Sequence, residues 1–168
     1  MKSPLSLAAL VVLAGLGGGS ASAGSLNWLA PVADCYDTGV SQKRTVVIIF
    51  YDSVNTRLDA DKMSIRLAMS PRMQALSDTT VWCMGDVTRD LVAKNIAKAL
   101  GIAEYPTLSV LAPNPTMLDE TGRVVGFKGS FAENHLEGAQ DHIMRSVSKV
   151  QAIQAKDGKL PAAPASKR

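Results

Sequence analysis

Gly101-Ile102-Ala103-Glu104-Tyr105-Pro106-Thr107-Leu108-Ser109-Val110-Leu111 decides how this chain folds, because one short run carries a helix end, a turn and a strand. Gly101 follows an apolar-periodic segment and offers the left-handed backbone that ends a helix without a Cβ penalty. Tyr105-Pro106 is an X-Pro pair, the kind of bond for which a cis peptide costs little. Leu108-Ser109-Val110-Leu111 then reads as a strand. Upstream, Asp86-Val87-Thr88-Arg89-Asp90 ends one strand and starts a helix over residues 89–100, where Val92 or Ala93, Ile96, Ala97 and Leu100 recur at helical spacing. The order around the turn is strand, helix, X-Pro-Thr, strand.

Further out, Thr45-Val46-Val47-Ile48-Ile49-Phe50-Tyr51 is an unbroken β-branched and aromatic run. It predicts a strand buried on both faces, the central one of a sheet covered by helices. A polar loop over residues 52–56 leads to a helix predicted over 59–77, with Met63, Leu67, Ser70 or Met73, and Leu76 on one stripe and a bend at Pro71. Thr79-Thr80-Val81-Trp82-Cys83-Met84 is the next strand. Beyond the opening run, Asp119-Glu120-Thr121-Gly122 resembles a hairpin turn before a strand over 123–128, and Gly129-Ser130 open the last helix. Ser130-Phe131-Ala132-Glu133 has the spacing of a capping box, and Leu136, Ala139 or Gln140, Ile143, Val147 and Val150 carry the stripe to about residue 154. Before the central strand, Pro31 is placed to open a short helix and Gly39 to close it. Strand, helix, strand, helix, strand, strand, helix predicts an α/β domain with a mixed central sheet, helices on both faces and a final antiparallel pair.

The chain ends are of different character. Lys2, an apolar stretch from Leu5 to Leu16 and Ala21-Ser22-Ala23 predict a signal peptide over residues 1–23 with an A-x-A cleavage site. The apolar stretch is shorter than the ~20 residues of a membrane span, so no stable span is expected after cleavage and the expected location is periplasmic or secreted. Residues 24–44 form the N-terminal segment of the domain, 45–155 the body, and 156–168, rich in Pro, Ala and Lys, a disordered tail. Losing Lys2 with the signal peptide lowers the net charge from +3 to +2, too near balance to imply nucleic acid or an anionic membrane surface as a partner.

The buried run from Thr45 to Tyr51, the proline-bent helix at Pro71, Asp86-Val87-Thr88 before the next helix, Tyr105-Pro106-Thr107, and Phe127-Lys128-Gly129 before the last helix together resemble the thioredoxin fold. The resemblance implies a cis peptide before Pro106. It also implies a C-x-x-C pair at the start of the proline-bent helix, its second cysteine five residues before the proline. Counting back from Pro71 gives Arg66 for that place and Met63 for the first, so Met63 and Arg66 mark vacant redox positions. No cysteine occurs anywhere in residues 52–78. A thiol exchange catalyst needs a thiolate of lowered pKa and a second thiol to resolve the mixed disulfide, and this stretch supplies neither. Residues 52–62 also read as a loop and helix start longer than the family's, where a binding function or a tolerated surface insertion are both open.

Cys35 and Cys83 are the only cysteines, and an exported chain with an even number is predisposed to pair them. In the thioredoxin arrangement the N-terminal segment packs beside the strand that here holds Cys83, which allows their approach. Such a bond would add about 3 to 4 kcal/mol through the denatured state. Two other readings stand beside it: two free thiols, with Cys83 a small core residue, or a non-standard redox switch. Tyr105, Pro106 and Thr107 are the candidate peptide-binding element, since in thioredoxin-like proteins the backbone beside the cis proline pairs with an extended substrate. The plain alternative is a turn that serves geometry alone.

Other chemistry finds no footing. His135 and His142 are two helical turns apart, about 10 Å, too far to share a metal ion. No G-x-S-x-G or H-E-x-x-H occurs, so no catalytic residue, metal or cofactor is expected. The expected function is a redox-inactive module of the cell envelope that binds a protein or peptide, with no catalysis. The alternative is an atypical thiol-disulfide oxidoreductase or redox sensor using Cys35 and Cys83. Fold analogy adds a secretion or conjugation apparatus as a setting.

Overall fold

The computed structural model describes residues 26–113, 126–130 and 136–157. The central strand is the one read from the sequence: β2, Thr45–Tyr51, is buried at every residue. Alternation along it sends Val46, Ile48 and Phe50 to one layer of core and Val47, Ile49 and Tyr51 to the other. Both faces must therefore be covered. Ahead of β2 lie β1, Trp28–Leu29, and α1, Val32–Gln42. After it come α2, Arg57–Ala68; α3, Pro71–Gln74; β3, Thr80–Asp86; α4, Leu91–Ala99; β4, Thr107–Leu111; β5, Gly126–Ser130; and α5, Leu136–Asp157.

The sheet order is β1-β3-β2-β4-β5. β1 and β2 run parallel to β3, β4 runs antiparallel to β2, and β5 antiparallel to β4. Residues of α1 and α4 form one core with Val46, Ile48, Phe50, Val81 and Cys83, while α2, α3 and α5 build the other around Val47, Ile49, Trp82, Leu108 and Val110. This is a thioredoxin-like α/β fold. The strip of Ala139, Ile143, Val147 and Val150 on α5 is buried, as its spacing requires.

Several local expectations are corrected. Gly39 does not close α1 but lies inside it, where a Cβ would collide with Val46 Cγ2; Lys43, at φ 54°, takes the left-handed closing position instead. Proximity to the strand, not chain reversal, calls for glycine there. The predicted helix over 59–77 is two helices, because Pro71 occupies the first turn of α3, where its missing N–H is no loss, instead of bending a continuous helix. The helix after the polar loop begins at Arg57, not at Asp59, so a tight turn over 52–56 leads at once into α2. Gly129 and Ser130, read as opening the last helix, lie in β5, with Ser130 paired with Thr107, and α5 spans Leu136–Asp157. α5 reaches Asp157, two residues into the stretch read as tail.

The signal peptide, residues 119–122, the rest of the capping box, His135 and the remainder of the tail lie outside the described residues. Gly101 matches its reading, with φ 64° after α4.

Candidate functional site

At one end of the sheet β2 and β3 stop and β4 begins: Tyr51 stands opposite Asp86, and Phe50 opposite Thr107. Here the resemblance would place reactive sulfur. The turn after β2 is built from oxygen and amide groups instead. Asp52 Oδ1 accepts from Val54 N at 2.8 Å and Oδ2 from Asn55 Nδ2 at 2.7 Å. Those hydrogen bonds hold the Asp52 carboxyl below its ordinary range. Thr56 Oγ1 accepts from Asp52 N at 2.9 Å, closing the turn.

The neighbouring turn is tied to it. Ser53 Oγ and Thr88 Oγ1 lie 2.6 Å apart, and Asp86 Oδ1 accepts from Thr88 N at 3.0 Å and from the Thr88 hydroxyl. Burial of Asp86 opposes its ionisation, yet the hydrogen bonds from Thr88 and Ser53 outweigh it and hold the carboxyl below the usual carboxylate range. Arg57 lies over the Tyr51 ring, 5.7 Å from its centroid, and bonds Asp61 at 3.3 Å. Burial raises the Tyr51 pKa, with Arg57 pulling the other way.

Met63 and Arg66 are not at the helix start. Met63 is deep in α2 with its side chain in the core, and Arg66 is on the exposed face. The count from Pro71 fails because Pro71 begins a helix of its own. Asn55-Thr56-Arg57-Leu58 spans the start of α2, and it too lacks cysteine.

The sulfur lies elsewhere. Cys35 on α1 and Cys83 on β3 are joined in a disulfide, their Cα atoms 6.0 Å apart and both residues fully buried in the core beneath α1 and α4. No thiolate can approach either sulfur in line without opening that layer. The bond pins α1 to the strand that β1 also flanks.

The Tyr105-Pro106 peptide is cis, and both residues are half-buried. Thr107 is buried, and its hydroxyl donates to Glu104 O at 2.6 Å. Beside it a groove of about 310 Å³ is lined by Gly101, Ile102, Glu104, Thr107, Lys128 and Gly129, with Lys128 Nζ donating to Gly101 O. The structure thus brings Tyr105 to Thr107 near the Asp52–Thr56 turn through the β2–β4 pairing, and keeps both cysteines apart from them.

Sequence reading missed Asp90. Its Oδ1 caps α4, accepting from Val92 N and Ala93 N at 2.9 and 3.1 Å, while Oδ2 accepts from Val32 N at the start of α1, 2.9 Å away. An aspartate just before an apolar-periodic run signals the cap, but nothing local signals the second helix. Among the described residues no group of three or more metal-ligating side chains occurs.

Solved thioredoxins are among the structures this chain is similar to. One from Thermus thermophilus is 14% identical, with 80% of this chain and 94% of that one covered at a TM-score of 0.49. Chloroplastic thioredoxin z is 13% identical, covering 76% of this chain and 96% of its own at 0.44. A mutant thioredoxin from Halobacterium salinarum NRC-1 is 18% identical, covering 73% and 89% at 0.39. No family model matches the sequence, and no curated protein matches it.

Proposed function

We propose that the protein is a redox-inactive thioredoxin-like module of the cell envelope that holds an extended segment of a partner protein beside Tyr105-Pro106-Thr107. The observation that carries the redox-inactive part of this reading is the full burial of the Cys35–Cys83 bond, which keeps the chain's only cysteine pair in the core and leaves hydroxyl, amide and carboxylate groups where β2 and β3 end. A disulfide of this kind suits an oxidising compartment, in keeping with the signal-like N-terminus. At this end of the sheet Tyr105 and Pro106 are half-buried and Val54, in the turn after β2, is 81% exposed, and an extended chain can lie along such a margin. A subunit of a secretion or conjugation apparatus is the partner class that fold analogy offers.

Pull-down from an envelope fraction tests the surface. Pro106→Ala and Val54→Asp are each expected to lose partners that the wild type recovers; equal recovery by all three proteins would remove the proposed surface. The disulfide also admits the oxidoreductase reading, which requires accessible sulfur. Insulin reduction above the buffer rate, lost in Cys83→Ser, would replace the binding module by that enzyme.

A further inference from the structure

Glu104 is the charged residue nearest in sequence to the cis proline, and it lines the groove beside Thr107. It is exposed, and its carboxylate has no hydrogen-bond or ion-pair partner among the described residues. Lys128, on the same groove, is engaged: it donates to Gly101 O just past the C-terminus of α4, where the helix dipole attracts a cation. The same imbalance holds across this end of the sheet. Arg57 bonds Asp61, and Arg89 Nε lies 3.9 Å from Asp86 Oδ2. Asp52 is held ionised by Val54 N and Asn55 Nδ2, neutral donors that leave its charge uncompensated. Glu104 and Asp52 therefore stand here without a cation.

We infer that the segment held beside Tyr105-Pro106-Thr107 is basic, and that Glu104 selects it by pairing with a Lys or Arg side chain laid in the groove. The inference rests on the peptide-binding reading and adds the charge of the partner to it. An extended chain passing Pro106 runs by this groove, whose wall includes Ile102, 9% exposed, and Gly129, which has no side chain to fill it. The alkyl stem of Lys or Arg covers such a wall while its charged head reaches the Glu104 carboxylate. An acidic side chain in the same place would face Glu104 and meet a Lys128 ammonium already held by a carbonyl. The pair is open to water, so it sets preference and encounter more than total affinity.

Phage display of random peptides on the wild type, subtracted against Pro106→Ala protein, tests the inference. The recovered peptides are expected to be rich in Lys and Arg and to bind more weakly as salt is raised. For one such peptide, followed by fluorescence anisotropy, Glu104→Gln is expected to weaken binding about threefold and Glu104→Lys about tenfold. A version of that peptide with its basic residues changed to Gln should bind all three proteins alike, which shows the variants to be folded. Peptides that need Pro106 but carry no basic excess, an acidic excess, or equal binding by Glu104→Lys and wild type would overturn the charge selection alone. A Gln version that discriminates among the three proteins would overturn it as well. Recovery of no Pro106-dependent peptide would remove the peptide-binding reading and this inference with it.

Discussion

Asp86 shows how one side chain can join two loops and carry a measurable signature. Its side chain is 12% exposed and is satisfied by Thr88, which in turn touches Ser53. Because its pKa is lowered in the fold, the stabilisation it brings is complete above the ordinary carboxylate range and is lost as pH falls through the depressed value. Carboxyl NMR titration should therefore find Asp86 ionising below a typical aspartate. In Thr88→Val the main compensating hydrogen bonds are reduced while burial remains, so the pKa should rise; an unchanged value would show that Thr88 does not set it. Cys83 is a second case. Its sulfur, bonded and fully buried, should react with no thiol reagent in the native protein, and labelling of the folded state without reductant would contradict the disulfide.

At the scale of elements, Asp90 couples two helix starts. Asp90→Ala removes the cap of α4 and leaves the Val32 N–H of α1 without its partner, at an expected cost of about 2 to 3 kcal/mol in urea unfolding. Asp90→Asn, keeping one carbonyl oxygen, should cost less; a loss equal to that of Asp90→Ala would show that a single retained oxygen contributes nothing. Gly39→Ala should destabilise by about 1 to 3 kcal/mol, because the new methyl group meets Val46 on β2. A gain in stability from better helix propensity would mean that α1 can shift on the sheet. The surface bond of Arg72 Nη2 to Asp141 Oδ1, 2.7 Å between half-exposed side chains of α3 and α5, is worth only about 0 to 1 kcal/mol.

For the whole molecule the Cys35–Cys83 bond spans 48 residues of chain, linking α1 to β3 across the central strand's place in sequence. Closing a loop of that length stabilises by about 3 to 4 kcal/mol. Cys35→Ala/Cys83→Ala is expected to lower the thermal midpoint by roughly 10 °C while keeping the far-ultraviolet spectrum. A midpoint within about 2 °C of wild type would show that the bond leaves the denatured chain unconstrained. Much of this architecture was legible. β2 could be read to its last residue because seven consecutive buried positions leave no other pattern, and Gly101 because only a left-handed residue ends α4 there. The positions compared with a redox pair were misplaced, since Pro71 can bend one helix or begin another with the same local sequence.

From its sequence alone this protein determined the runs that become β2, β3, β4, α4 and α5, their mixed order and the lack of cysteine in residues 52–78, because hydrophobic period, caps and residue type act over a few neighbours. Tertiary structure alone decided that Cys35 meets Cys83, that Asp90 serves two helices, and that Gly39 must yield to Val46. Those outcomes depend on how helices settle on the sheet, and side chains far apart in the chain come together through packing that no local period encodes.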